Sequence, residues 1–119
     1  MATIFTNCTN HSLTPAQIAD VSQRGWILGG DVPFPMVPET ATSEDIDKMA
    51  SELADALNGA DAVLLQGQMV LVYRTVQILK RRGKRVFAAM TRRNTVETRN
   101  EDGTVTKTAV FEHAGFMEY

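Results

Sequence analysis

Cysteine is almost missing from this 119-residue chain, in which Cys8 stands alone. That excludes an intramolecular disulfide framework and fits a reducing compartment. A cationic excess is missing as well: 12 Lys and Arg face 14 Asp and Glu, for a net charge of −2. A surface that tracks many phosphates of duplex nucleic acid is therefore not expected, whereas a small nucleotide needs only a few local donors and cations. No apolar run approaches the roughly 20 residues of a membrane-spanning helix, and no signal peptide opens the chain. A cytoplasmic protein without membrane contact is the expectation. The Gly-rich dinucleotide fingerprint is absent, which disfavours a nicotinamide or flavin enzyme. Histidine is scarce, at 2 residues, and His113 has no carboxylate or cysteine at metal-ligand spacing. No zinc or two-metal constellation is present, so neither metal nor cofactor is expected.

What is present is ordinary globular material with ample apolar content, sized for one domain. Thr3 to Phe5 are a short strand candidate. Thr14, Pro15 and Gln17 then supply an N-cap, a first-turn proline and a capping box, with Leu13 and Ile18 at the positions of a hydrophobic staple. This helix ends near Ser22. Trp26 to Leu28 form a second strand candidate. The stretch GGDVPFPMVPETATS carries three prolines and two glycines, which exclude a regular helix or a central strand. Its apolar residues Val32, Phe34, Met36 and Val37 need cover, so it reads as a loop folded over the core, or alternatively a lid or subunit contact.

Ser43 reads as the cap of the next helix, whose core face is Ile46, Met49, Ala50, Leu53 and Leu57. Ala62 to Leu65 is a continuous apolar run, the pattern of a strand buried on both faces. Gln66-Gly67-Gln68 breaks it, and a helix runs from Met69 to the cations Lys80, Arg81 and Arg82 before Gly83. Arg85 to Met90 is a fourth strand. Beyond it, Arg92 to Arg99 and Thr104 to Glu112 are β-rich runs around an Asn-Glu-Asp-Gly turn. Alternating β and α elements predict an α/β, Rossmann-like, mostly parallel sheet flanked by helices, with a C-terminal β-hairpin. The expected division is a core over 1–90 and a hairpin over 91–119.

Ligands of open parallel sheets collect beyond the strand carboxyl ends. Thr9 to Thr14, Gln66 to Gln68 and Thr91 to Arg93 all lie at such ends. The first two precede helix N-termini, which favour anions; Gly67 allows close backbone approach; and the third offers guanidinium groups shaped for phosphate. Arg92 and Arg93 point to opposite sheet faces, so one of them at most faces a given ligand. Singly, each signal has a bland reading. Asn10 and Ser12 can bond their own turn, His11 can be a turn residue, and His113 reads as structural or surface. Together they point to an anionic, nucleotide-like ligand, which spacing alone does not name.

Several motifs in order carry a resemblance: Asn10-His11-Ser12-Leu13-Thr14; Val63-Leu64-Leu65-Gln66-Gly67; Thr91-x-Arg93 with Glu97; Asp102-Gly103; and Phe111-x-His113-x-x-Phe116-x-x-Tyr119. In these the chain resembles small ring nucleases with a CARF-like fold, associated with type III CRISPR systems. The resemblance implies a single CARF-like domain over 1–119. It also implies a homodimer without metal or cofactor that binds and cleaves cyclic oligoadenylate, with cyclic tetra-adenylate as the expected ring. It assigns His11 and Arg93 to catalysis, and Asn10, Ser12, Gln66, Gly67 and Thr91 to ligand binding, while Glu97 can orient Arg93. Two other readings stand beside it: a protein that sequesters the ring without cutting it, and a Rossmann-like enzyme acting on a free nucleotide or nucleoside.

Overall fold

The computed structural model describes residues 2–119. β1 spans Ile4–Cys8 and leads into α1, Pro15–Gln23. The expected capping box forms: the Thr14 hydroxyl accepts from the Gln17 N–H, and the Gln17 side chain accepts from the Thr14 N–H. β2 covers Ile27–Asp31, so Trp26 stands just outside it and both glycines of the following stretch lie within it. That is tolerable because β2 is an edge strand, exposed throughout. α2 spans Ser43–Ala56, and its cap is Thr42 rather than Ser43, closed into a second capping box by Asp45. The Thr42 N–H and hydroxyl hold the Asp45 carboxyl below the usual carboxylate range.

β3 is the short buried run Ala62–Leu65, followed by α3, Met69–Arg81. Gln68 caps α3 by accepting from the Leu71 N–H at 2.8 Å, a role that its residue type did not announce. β4 runs unbroken over Arg85–Arg99, and β5 over Val105–Glu118. The fourth strand and the first hairpin run are thus one element. β5 also continues past Glu112, so that Gly115 to Glu118 pair with Phe87 to Met90. A register shift between Met90 and Thr91 absorbs one residue of β5 at this junction. The C-terminal segment therefore returns to the sheet as its fifth strand.

The sheet order is β2-β1-β3-β4-β5; the first four strands are parallel and β5 is antiparallel to β4. On one face α2 and α3 pack over Val63, Leu65 and Val86. The loop between β2 and α2 joins this layer as the bland reading expects: Phe34 is buried and Val32 and Val37 pack beside it, while Met36 is left exposed. On the other face α1 covers a smaller aromatic core. There Phe5 stacks on Trp26 with ring centroids 5.6 Å apart, and Phe116 lies 5.3 Å from Phe5. The guanidinium groups of Arg24 and Arg85 lie over the Trp26 ring.

β3 ends opposite Ala88, so beyond that point β4 and β5 pair only with each other. They form a two-stranded arm. The radius of gyration, 17.8 Å, exceeds the about 13.5 Å of a compact chain of this length for this reason.

Candidate functional site

Strand order reverses between β1 and β3, with β2 lying outside β1 and β4 outside β3. At such a reversal the outgoing connections diverge to opposite faces and leave a crevice. Here it is a hollow of about 280 Å³. Thr9, Asn10, His11 and Ser12 wall it on one side and Gln66 and Gly67 on the other, with Leu64 and Gln17 between them.

The turn after β1 is held from beneath. Asn7 is 1% exposed, and its Nδ2 donates to the His11 carbonyl at 2.7 Å. Thr9 Oγ1 sits 2.9 Å from both Asn7 Oδ1 and the His11 carbonyl, and accepts the His11 N–H at 3.2 Å. The bonds that residue type allowed for Asn10 and Ser12 are made instead by Asn7 and Thr9. Among the described residues, the side chains of Asn10 and Ser12 and the His11 ring enter no hydrogen bond, and all three residues are exposed at the hollow. Asn7 is the residue that sequence reasoning missed. Its signal was a polar amide inside an apolar strand, which a buried position has to satisfy.

The N-terminus of α1 is a poorer anion site than expected. Pro15 has no N–H and the Gln17 N–H is taken by Thr14, which leaves that of Ala16. α3 offers more, since its cap engages Leu71 and Val72 and leaves the N–H groups of Met69 and Val70.

Gln66 ties two strands together, its Oε1 accepting the Ala89 N–H at 3.3 Å, and its amide nitrogen is uncommitted among the described residues. Gly67 has a packing reason to be glycine. A Cβ there would run into the Phe34 ring. The close approach anticipated at Gly67 is thus made, on that side, by the protein's own loop.

Thr91 and Arg93 stand apart from these residues. They do not wall the hollow. Arg93 lies four residues beyond Ala89 along the arm, about 13 Å at the rise of an extended strand. It is exposed and pairs across the arm with Phe111. The fold therefore gathers Asn10, His11, Ser12, Gln66 and Gly67 and leaves Thr91 and Arg93 outside. Glu97 is farther out still, 3.6 Å from Lys107 rather than beside Arg93.

Cys8 is fully buried, and burial pushes its thiol up to about 12, so it stays protonated and unreactive. His113 proves structural. Its Nε2 lies 2.7 Å from Asp20 Oδ2, and its ring packs on Phe116, joining the root of the arm to α1. Among the described residues, no group of three or more His, Cys, Asp or Glu could hold a metal ion. No helix there is long and apolar enough to cross a membrane.

A family model matches residues 3–117, and so takes in the hollow and the arm alike. The chain belongs to the Uncharacterized protein MJ1673 family. No curated protein matches its sequence.

Proposed function

We propose that this MJ1673-family chain is a Rossmann-like, CARF-like domain that binds cyclic oligoadenylate, with cyclic tetra-adenylate as the expected ring, and opens it. The observation that carries the reading is the hollow at the strand-order reversal, where Asn10, His11, Ser12 and Gln66 present uncommitted polar groups. The ligand class comes from the ordered motifs in which the chain resembles ring nucleases of type III CRISPR systems.

At about 280 Å³ the hollow is smaller than the roughly 300–1,000 Å³ of pockets that enclose a drug-sized ligand. It accommodates one sugar-phosphate unit of a ring, not the whole ring. A two-fold dimer would present two such hollows to a ligand that is itself symmetric. In that arrangement the partner's arm is the route by which Arg93 and Thr91 reach the ligand, since they do not line the hollow of their own chain.

The chemistry asks for positioning above all. A ribose 2′-oxygen attacks the adjacent phosphorus in line, the bond to the 5′-oxygen breaks, and the product is linear with a 2′,3′-cyclic phosphate. His11 takes the 2′-hydroxyl proton or returns one to the leaving 5′-oxygen. Asn10, Ser12, Gln66 and the Gly67 main chain hold ribose and phosphate, and Arg93 offsets the charge that builds on the phosphorane.

Incubation with cyclic tri-, tetra- and hexa-adenylate in EDTA, followed by chromatography, tests this directly. One ring should yield a linear product, and His11→Ala should slow its opening at least about tenfold. A wild-type rate in that variant removes His11 from proton transfer, and failure to bind any ring removes the whole reading. A second reading, sequestration without cutting, is favoured by the walls of the hollow, which carry no Lys or Arg. It predicts tight ring binding and no linear product under single-turnover conditions.

A further inference from the structure

Across Gln66 and Gly67 from the hollow lies a second and larger one, about 560 Å³, between α3 and the end of β5. The two share Gln66 and Gly67 as a common wall. Their chemistry differs. The floor of the second is Val72 and Val76, and its sides are Met69, Tyr73 and Tyr119.

Tyr119 is fixed in place. Its hydroxyl donates to the Leu65 carbonyl at 2.9 Å, its N–H donates to the Val86 carbonyl at 2.9 Å, and Lys80 Nζ donates to its main-chain oxygen at 2.9 Å. Tyr73 and Met69 are largely exposed on the opposite side. Aliphatic floor and tyrosine sides suit a flat, apolar-faced ring, which loses little by being placed there.

Two glutamines supply polar contacts at different places along the groove. Gln77 spends its amide nitrogen on the Tyr73 hydroxyl at 3.3 Å, which leaves its carbonyl oxygen as an acceptor. Gln66, at the wall shared with the hollow, spends its carbonyl oxygen on the Ala89 N–H, which leaves its amide nitrogen as a donor. Gln66 precedes α3 and Gln77 stands about 12 Å along the axis from Met69, so each meets a different part of a bound nucleotide.

We infer that this groove receives the adenine base of a nucleotide whose sugar and phosphate occupy the adjoining hollow. The inference rests on reading that hollow as a ribose-phosphate site. It goes further in assigning the base to α3 and Tyr119, with Gln66 at the junction. An amphipathic ligand, one end polar and the other flat and apolar, fits two adjoining hollows of these two characters.

The test is amide-resolved NMR titration of the full chain with AMP and with ribose 5-phosphate, which lacks the base, alongside a binding assay with cyclic tetra-adenylate. AMP should shift Val72, Tyr73, Val76 and Lys80, and bind more tightly than ribose 5-phosphate. Tyr73→Ala should weaken AMP binding by roughly fivefold or more. The Tyr73 side chain is exposed, so this substitution does not open the core. AMP shifts confined to Thr9 to Ser12, or unchanged affinity in Tyr73→Ala, overturn the base site even if the ring is bound and cut. Ring binding without any AMP shift in the groove does the same. AMP shifts in the groove with no ring binding would leave the base site standing and remove the cyclic ligand. No response to either ligand overturns both.

Discussion

The two halves of β4 share one backbone and live in different environments. From Arg85 to Met90 the strand lies between layers: Val86 faces α2 and α3, and Phe87 faces the aromatic core under α1. From Thr91 to Arg99 it is paired to β5 alone, and nearly every side chain meets water on one face or the other. An isolated two-stranded ribbon is marginal in water. The arm is held by short-range devices instead, such as Asn100 Nδ2 bonding the hydroxyls of Thr104 and Thr106 at 2.9 Å each, with Gly103 in the turn at φ 87°. Extended structure therefore records hydrogen-bond pairing, while stability records what lies above and below the strand.

The largest test of that contrast is a pair of truncations. Phe87→Ala should cost about 3–5 kcal/mol in urea unfolding, because it empties the centre of a packed aromatic cluster. Val96→Ala, in the exposed half, should change stability by less than about 0.5 kcal/mol. A cost at Val96 that rivals Phe87 and grows with protein concentration would show that a second copy covers the arm.

An intermediate effect is expected where the core reaches up to hold a surface turn. Asn7→Ala leaves the His11 carbonyl without its buried donor and should destabilise by about 1–3 kcal/mol. Hydrogen exchange at His11 and Ser12 should quicken in the same variant, with the arm amides unchanged. Uniform quickening across both regions would mean that Asn7 supports the whole sheet and not the turn.

The smallest effect lies at the junction of the two halves. Burial works against the charged form of Asp20, but hydrogen bonds from Arg24 and His113 prevail and hold its carboxyl below its ordinary value of 3.8. A depressed folded pKa gives stability that is present above the unfolded value and lost as pH falls through the folded one. Asp20→Asn should therefore be less stable than the wild type at neutral pH by about 1 kcal/mol or less. The difference should close as the pH is lowered below about 4. Midpoints that stay parallel across that range would remove Asp20 from the junction.

Local chemistry was enough to read much of this molecule. The Thr14 box, the Asn-Glu-Asp-Gly turn, the alternation of strands and helices and the doubly buried Ala62 to Leu65 are each written within a few neighbouring residues, because caps, turns and burial periodicity act over that distance. The grouping of Asn10 to Ser12 with Gln66 and Gly67 was legible for a related reason, since parallel strands put their carboxyl ends on one edge. Pairing over long separations was not. Nothing near Gly115 to Glu118 says that they lie beside Phe87 to Met90, or that Phe34 fills the space a side chain at Gly67 would need. Arg93 was placed at the same edge because its strand ends there in order of sequence; the unbroken pairing of β4 with β5 carries it past that edge, along the arm. Register and packing are settled by partners that are distant along the chain, and they appear only when the sheet is assembled.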